Sequence, residues 1–135
     1  MRVLTEAELV AEGERIGRGL APGSVVHLQG DLGAGKTTLV RAIARGLGVT
    51  EAASSPTYAL VHRYAGARGP VFHLDCFRLR QPEESADLDW EGLAAEGDAL
   101  LIEWPERAAG WVPAPTLRVR LSHLDDASVR GLDLG

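Results

Sequence analysis

The run Gly30-Asp31-Leu32-Gly33-Ala34-Gly35-Lys36-Thr37 constrains this chain more than any other feature, because it satisfies G-x-x-x-x-G-K-[ST] at every position. Such a loop works only between a strand and a helix. Glycines let the backbone curl until successive N–H groups point inward at an anion, where a Cβ would collide. The helix that follows turns its unsatisfied N–H groups and the positive end of its dipole toward the same anion. Both flanks are present. Ser24 to Gln29 is a β-branched and apolar run, and Lys36 to Leu47 carries Leu39, Val40, Ile43 and Leu47 at helical spacing until Gly48 stops it. Chance would produce the motif in about one in a thousand chains of this composition. The loop predicts phosphate contacts from Gly30, Gly33, Ala34, Gly35, Lys36, Thr37 and Thr38. The Lys36 ammonium would face the β- and γ-phosphates of a nucleoside triphosphate, and the Thr37 hydroxyl would be a hard oxygen ligand for Mg²⁺.

Composition sharpens the reading at one position. Of the 14 basic residues, Lys36 alone is lysine and the rest are arginine. Lysine persists where a planar guanidinium fits poorly, inside a narrow loop. The net charge of −5 argues against gripping nucleic acid through a basic face, since phosphate neutralisation supplies most of that affinity. A lone cysteine, Cys76, cannot close an intramolecular disulfide, which suits a reducing compartment. The start of the chain turns acidic at Glu6 without the apolar stretch of a signal peptide, and no segment is apolar for long enough to span a bilayer. These features point to a cytoplasmic protein. With 135 residues, 45% of them hydrophobic, the expectation is one compact domain over residues 1–135.

The rest of the chain alternates helices and strands. Thr5 to Leu20 reads as an amphipathic helix capped by Thr5 with Glu8 as capping-box partner, its apolar face carrying Leu9, Ile16 and Leu20. Ser54-Ser55-Pro56-Thr57 is a turn leading into a strand over Tyr58–Tyr64. Gly66 to Pro70 is a hairpin loop, and Val71 to Leu74 pairs back, ending at Asp75. Pro82 to Glu96 reads as an interrupted helix. Ala99 to Ile102 is wholly apolar, as a strand buried on both faces must be. Thr116 to Leu121 alternates like a half-exposed strand, with Val129–Leu134 free to pair with it. The layout predicts an α/β fold of the P-loop NTPase type, a mixed sheet flanked by helices.

A phosphate loop needs a carboxylate at a neighbouring strand end to hold Mg²⁺ or its waters. Glu103, after Ala99-Leu100-Leu101-Ile102, and Asp75, after Val71-Phe72-His73-Leu74, are both candidates for that metal and catalytic role. Thr57 could meet the γ-phosphate as a switch threonine or simply shape a turn. His73 reads as a packing or hydrogen-bonding residue, Cys76 as a small hydrophobe, and Trp90, Trp104 and Trp111 as buried.

Four blocks together resemble the TsaE (YjeE) family, the ATPase component of bacterial tRNA threonylcarbamoyladenosine synthesis. They are Gly30 through Thr38, Ser55-Pro56-Thr57-Tyr58, His73-Leu74-Asp75-Cys76-Phe77-Arg78-Leu79 and Ile102-Glu103-Trp104-Pro105. The resemblance implies an ATPase that joins two partner proteins, TsaB and TsaD, and meets tRNA only through them. It also implies Mg²⁺ on Thr37 and Glu103, with Asp75 near the γ-phosphate. Phe77 stands where the family usually has tyrosine, Leu88-Asp89 replaces a common Leu-Gly step, and the C-terminal part is short. A small-molecule kinase is the nearest enzyme alternative, with Arg78 and Arg80 as its arginine pair. A nucleotide-gated binding module with negligible hydrolysis alone is the non-enzyme alternative. A GTPase is disfavoured, because the chain holds no asparagine for an Asn-Lys-x-Asp guanine motif.

Overall fold

The structure, a computed structural model, describes residues 1–50 and 60–135. Its strands are β1 (Arg2–Thr5), β2 (Ser24–Gly30), β3 (Val61–Ala65), β4 (Pro70–Asp75), β5 (Ala99–Glu103), β6 (Leu117–His123) and β7 (Val129–Leu134). The α-helices are α1 (Glu6–Gly19), α2 (Lys36–Gly46) and α3 (Trp90–Glu96). Short 3-10 turns occupy Pro82–Ser85 and Pro105–Ala108.

The described strands join one seven-stranded sheet in the order β1-β7-β6-β2-β5-β4-β3. The centre is parallel: β2 pairs with β5 and β6, and β5 pairs with β4. The edges are antiparallel: β3 and β7 fold back as hairpins on β4 and β6, and β1, from the far end of the chain, pairs with β7. The mixed sheet expected from the alternation of apolar runs is therefore present. β1 was not anticipated, because four residues with one buried side chain, Leu4, carry too little periodicity to read.

Two apolar layers sandwich the sheet. On one face α1 and α2 bury Leu9, Ile16, Leu39, Val40 and Ile43 against Val26, Leu28, Leu101, Val119 and Leu121. On the other, Leu79, Leu88, Trp90 and Ala108 cover Val25, Phe72, Leu74, Leu100 and Ile102. β5 lies under both layers and is buried at every position, which explains its unbroken apolar run. β6 alternates because only one of its faces is covered.

Local signals set the helix ends. The Thr5 side chain accepts from Glu8 N while the Glu8 carboxylate accepts from Thr5 N, so the capping box forms as expected. The interrupted helix separates into the Pro82 turn and α3, and Asp89 caps α3 by accepting from Gly92 N at 3.0 Å. The unusual Asp89 thus has a structural task. Of the tryptophans, Trp90 is buried with its Nε1–H donating to Ser85 O, whereas Trp111 is 43% exposed, contrary to expectation. Trp111 follows the left-handed Gly110 at the exit of a short turn, where little chain is available to cover it. Of the Tyr58–Tyr64 strand, Val61 onward is described as β3; Tyr58, Thr57 and the Ser54–Pro56 turn lie outside the described residues.

Candidate functional site

β2 delivers the chain to Gly30 at the carboxyl edge of the sheet, where φ is +145° and a Cβ would stand 2.2 Å from the Leu121 carbonyl oxygen. Only glycine fits there. Gly35, at φ +108°, then turns the backbone into the first residue of α2 without a side-chain cap, leaving the helix N-terminus open for an anion. The loop also receives support that no sequence signal announced. His123, at the end of β6, donates from Nε2 to the Leu32 carbonyl at 2.9 Å. Chain separation hides this contact, since the partners stand 91 positions apart.

Lys36 begins α2 and is only 4% exposed. Its Nζ donates to the Gly30 and Asp31 carbonyls at 2.6 and 2.7 Å and lies 4.4 Å from the centre of the Trp104 ring. Burial pushes its pKa down, while the carboxylates of Glu103 and Asp31 pull the other way. The ammonium is held in place by backbone oxygens and a π face, and both can be exchanged for phosphate oxygens.

Two strand ends supply the acids. Glu103 closes β5 beside β2, and its Oε1 accepts from the Thr37 hydroxyl across 3.4 Å, a long contact. Its Oε2 accepts from His73 Nε2 at 2.6 Å. Asp75 closes β4 in register with Glu103, one strand farther from the loop, and its Oδ1 accepts from Phe77 N at 3.0 Å. A cleft of about 290 Å³ is lined by Lys36, Thr37, Thr38, Asp75, Glu103 and Trp104, with Leu32, Gly33, Gly35 and Phe77 completing the wall. The structure thus brings Gly33, Gly35, Lys36, Thr37, Thr38, Asp75 and Glu103 to one place. Gly30 underlies the loop, Ala34 is buried within it, and Thr57 is outside the described residues.

Trp104 departs from the expectation of a purely core residue. It is half-buried, packs on the second apolar layer and also forms a wall of the cleft. It is the only non-glycine with positive φ among the described residues, at 56°. Its N–H donates to Leu28 O at 3.2 Å, and its ring lies 5.1 Å from that of Phe77. The left-handed step turns the side chain back over Lys36. Phe77, expected only as a departure from a family tyrosine, is itself a cleft residue, and Arg107 donates to its carbonyl at 2.9 Å.

The donor set suits a hard cation. The Thr37 hydroxyl with the Glu103 and Asp75 carboxylates offers oxygen ligands only, and Mg²⁺ takes one or two such groups beside phosphate and water oxygens. Among the described residues no three His, Cys, Asp or Glu side chains are grouped to enclose a metal by themselves.

Sheet order, glycine loop and flanking helices define an α/β protein of the P-loop NTPase type. A crystal structure of Bacillus subtilis YdiB superposes with a TM-score of 0.77 over 99% of this chain and 86% of that one, at 24% identity, a likeness of fold. The family model described as Threonylcarbamoyl adenosine biosynthesis protein TsaE matches residues 3–131, and the chain belongs to that family. A tRNA threonylcarbamoyladenosine biosynthesis protein TsaE of Nostoc is 42% identical over 84% of this chain and 71% of its own length. The protein of the same name from Treponema pallidum is 40% identical over 86% of this chain and 85% of its own. That of Haemophilus influenzae is 40% identical, and the match spans 65% of its length.

Proposed function

We propose that this protein is a Mg²⁺-dependent ATPase that serves tRNA threonylcarbamoyladenosine modification by binding and resetting a TsaB–TsaD complex. One observation carries the chemical half: a buried ammonium, a hydroxyl and a strand-end carboxylate converge on a glycine loop that opens a helix. Family membership supports the pathway half.

On this reading the loop amides bind the phosphates of ATP, and Lys36 leaves the Gly30 and Asp31 carbonyls to neutralise the β- and γ-oxygens. Thr37 and Glu103 would hold Mg²⁺, which supplies charge neutralisation at the phosphates when bound. Asp75, level with Glu103, is placed to accept a hydrogen bond from an attacking water. Trp104 and Phe77 keep one wall of the cleft apolar and limit water access. Release of the γ-phosphate would remove the contacts of Lys36 and Mg²⁺ to that group and reset the partner complex, the modification itself taking place on TsaD. Arg78 and Arg80, the pair a kinase would need, are not among the residues lining the cleft.

Calorimetry with Mg·ATP and Mg·ADP tests the core of the reading. Binding in the micromolar range is expected, with slow phosphate release that TsaB–TsaD accelerates. Lys36→Ala should lower turnover by about 10²-fold or more, because phosphoryl transfer depends on positioned charge. Failure of both Mg·ATP and Mg·ADP to bind the folded protein would end the proposal. Binding with no release, alone or with partners, would favour a nucleotide-gated binding module.

A further inference from the structure

His73 is neither loop nor cleft lining, yet it holds one of the shortest side-chain contacts to the site. It sits on β4, two residues before Asp75, and is 8% exposed. Strand alternation sends its side chain to the face opposite Leu74, toward the first apolar layer and the loop side of the sheet, with Leu101 as its partner in register on β5. From there Nε2 reaches Glu103 Oε2 at 2.6 Å. The imidazole stacks on His62 of the edge strand, with ring centres 5.7 Å apart and planes 28° apart. Stacking fixes the ring plane, so Nε2 has one direction in which to donate.

Glu103 is 3% exposed, and a carboxylate at that depth needs a partner for each oxygen. Its two oxygens are divided: Oε2 goes to His73 and Oε1 faces Thr37. We infer that His73 is a positioning residue for the metal carboxylate. By occupying Oε2 it turns Oε1 alone to the cleft and makes Glu103 a single-oxygen ligand beside the Thr37 hydroxyl. An octahedral Mg²⁺ with near-ideal angles tolerates little error in such a ligand, and partners of this kind commonly alter metal affinity by 10–100-fold. The inference rests on the nucleotide reading above and adds the residue that sets its metal geometry.

Two polar replacements separate positioning from packing. In His73→Gln the side-chain amide nitrogen falls near the place of Nε2 and can still donate to Oε2. In His73→Asn it falls near Nδ1, one bond short. Calorimetric ATP binding is measured in EDTA and across a Mg²⁺ series, with Mn²⁺ affinity by electron paramagnetic resonance as a second readout. In His73→Asn the cation concentration for half-maximal effect should rise at least about 10-fold, with ATP affinity in EDTA within about 3-fold of wild type. His73→Gln should restore the cation dependence to within about 3-fold. Wild-type cation dependence in His73→Asn would overturn the inference, as would equal loss in both variants or a matching loss of ATP affinity in EDTA. A wild-type chain that binds no nucleotide sinks the nucleotide reading and this inference together. Wild-type binding with an indifferent His73→Asn sinks the inference alone.

Discussion

Cys76 follows Asp75 directly and shows how position sets the chemistry of a residue. It is fully buried, and burial together with the Asp75 charge pushes its thiol from the ordinary 9.0 up to about 12. A thiol held that high is a small hydrophobe at neutral pH. Ellman's reagent at about pH 8 should leave the native protein unlabelled and modify the cysteine fully in denaturant; rapid native labelling would contradict its burial. The pH dependence has a definite sign. Above 9 the unfolded thiol loses a proton that the folded one keeps until about 12, so stability is lost as pH climbs through that window. Urea midpoints of wild type and Cys76→Ala should therefore diverge in slope between about pH 8 and pH 10.5, with the alanine variant flatter. Glu103 is read by the opposite experiment, since Glu103→Gln keeps the size and removes the charge. ATP binding in EDTA should survive and the Mg²⁺ dependence should disappear; a Mg²⁺ response like that of wild type would move the metal role to Asp75.

Elements depend on close approach as much as on apolar area. α1 and α2 cross where Gly17 meets Gly46: a Cβ on Gly17 would lie 2.2 Å from Ile43 O, and one on Gly46 would lie 2.3 Å from Glu14 O. Both obstacles are backbone atoms, which cannot rotate aside. Alanine at either site gains about 1 kcal/mol of intrinsic helix propensity, yet the helices must part to admit it, and overpacking of this kind costs about 1–3 kcal/mol or more. Gly17→Ala is therefore expected to lower the urea midpoint, and an unchanged midpoint would mean that the helices separate freely. Because α2 also carries Lys36 and Thr37, parting the pair should weaken nucleotide binding as well. Sequence periodicity announced both helices, and α1 in particular starts at the Thr5 cap as its capping box predicts and runs to Gly19. By intrinsic propensity alone Gly13, Gly17 and Gly46 weaken those helices. Their purpose appears only when the two axes are brought together.

For the whole molecule, the net charge of −5 bears on the proposed indirect route to tRNA. Affinity for a polyanion rises with the number of phosphates neutralised and falls steeply with salt. This chain is expected not to retard tRNA by itself at about 0.15 M salt, and to join it only with its partners present. A salt-sensitive complex of tRNA with the chain alone would overturn that indirect route. No helix among the described residues is long and apolar enough to cross a membrane.

What the sequence determined by itself was mostly local. A strand, a glycine loop and a helix follow from spacing within residues 24–48. The all-buried β5 and the alternating β6 follow from which faces are covered. Glu103 and Asp75 were legible as strand ends, though not as neighbours. Tertiary structure decided what crosses the chain: that β5 stands between β2 and β4, so the two acids share a level; that His123 braces Leu32; and that Trp104 turns over Lys36. It also set His73 against one oxygen of Glu103. Backbone geometry and hydrophobic period act over a few residues, whereas sheet order and side-chain pairing are chosen by how all the apolar faces can be buried at once.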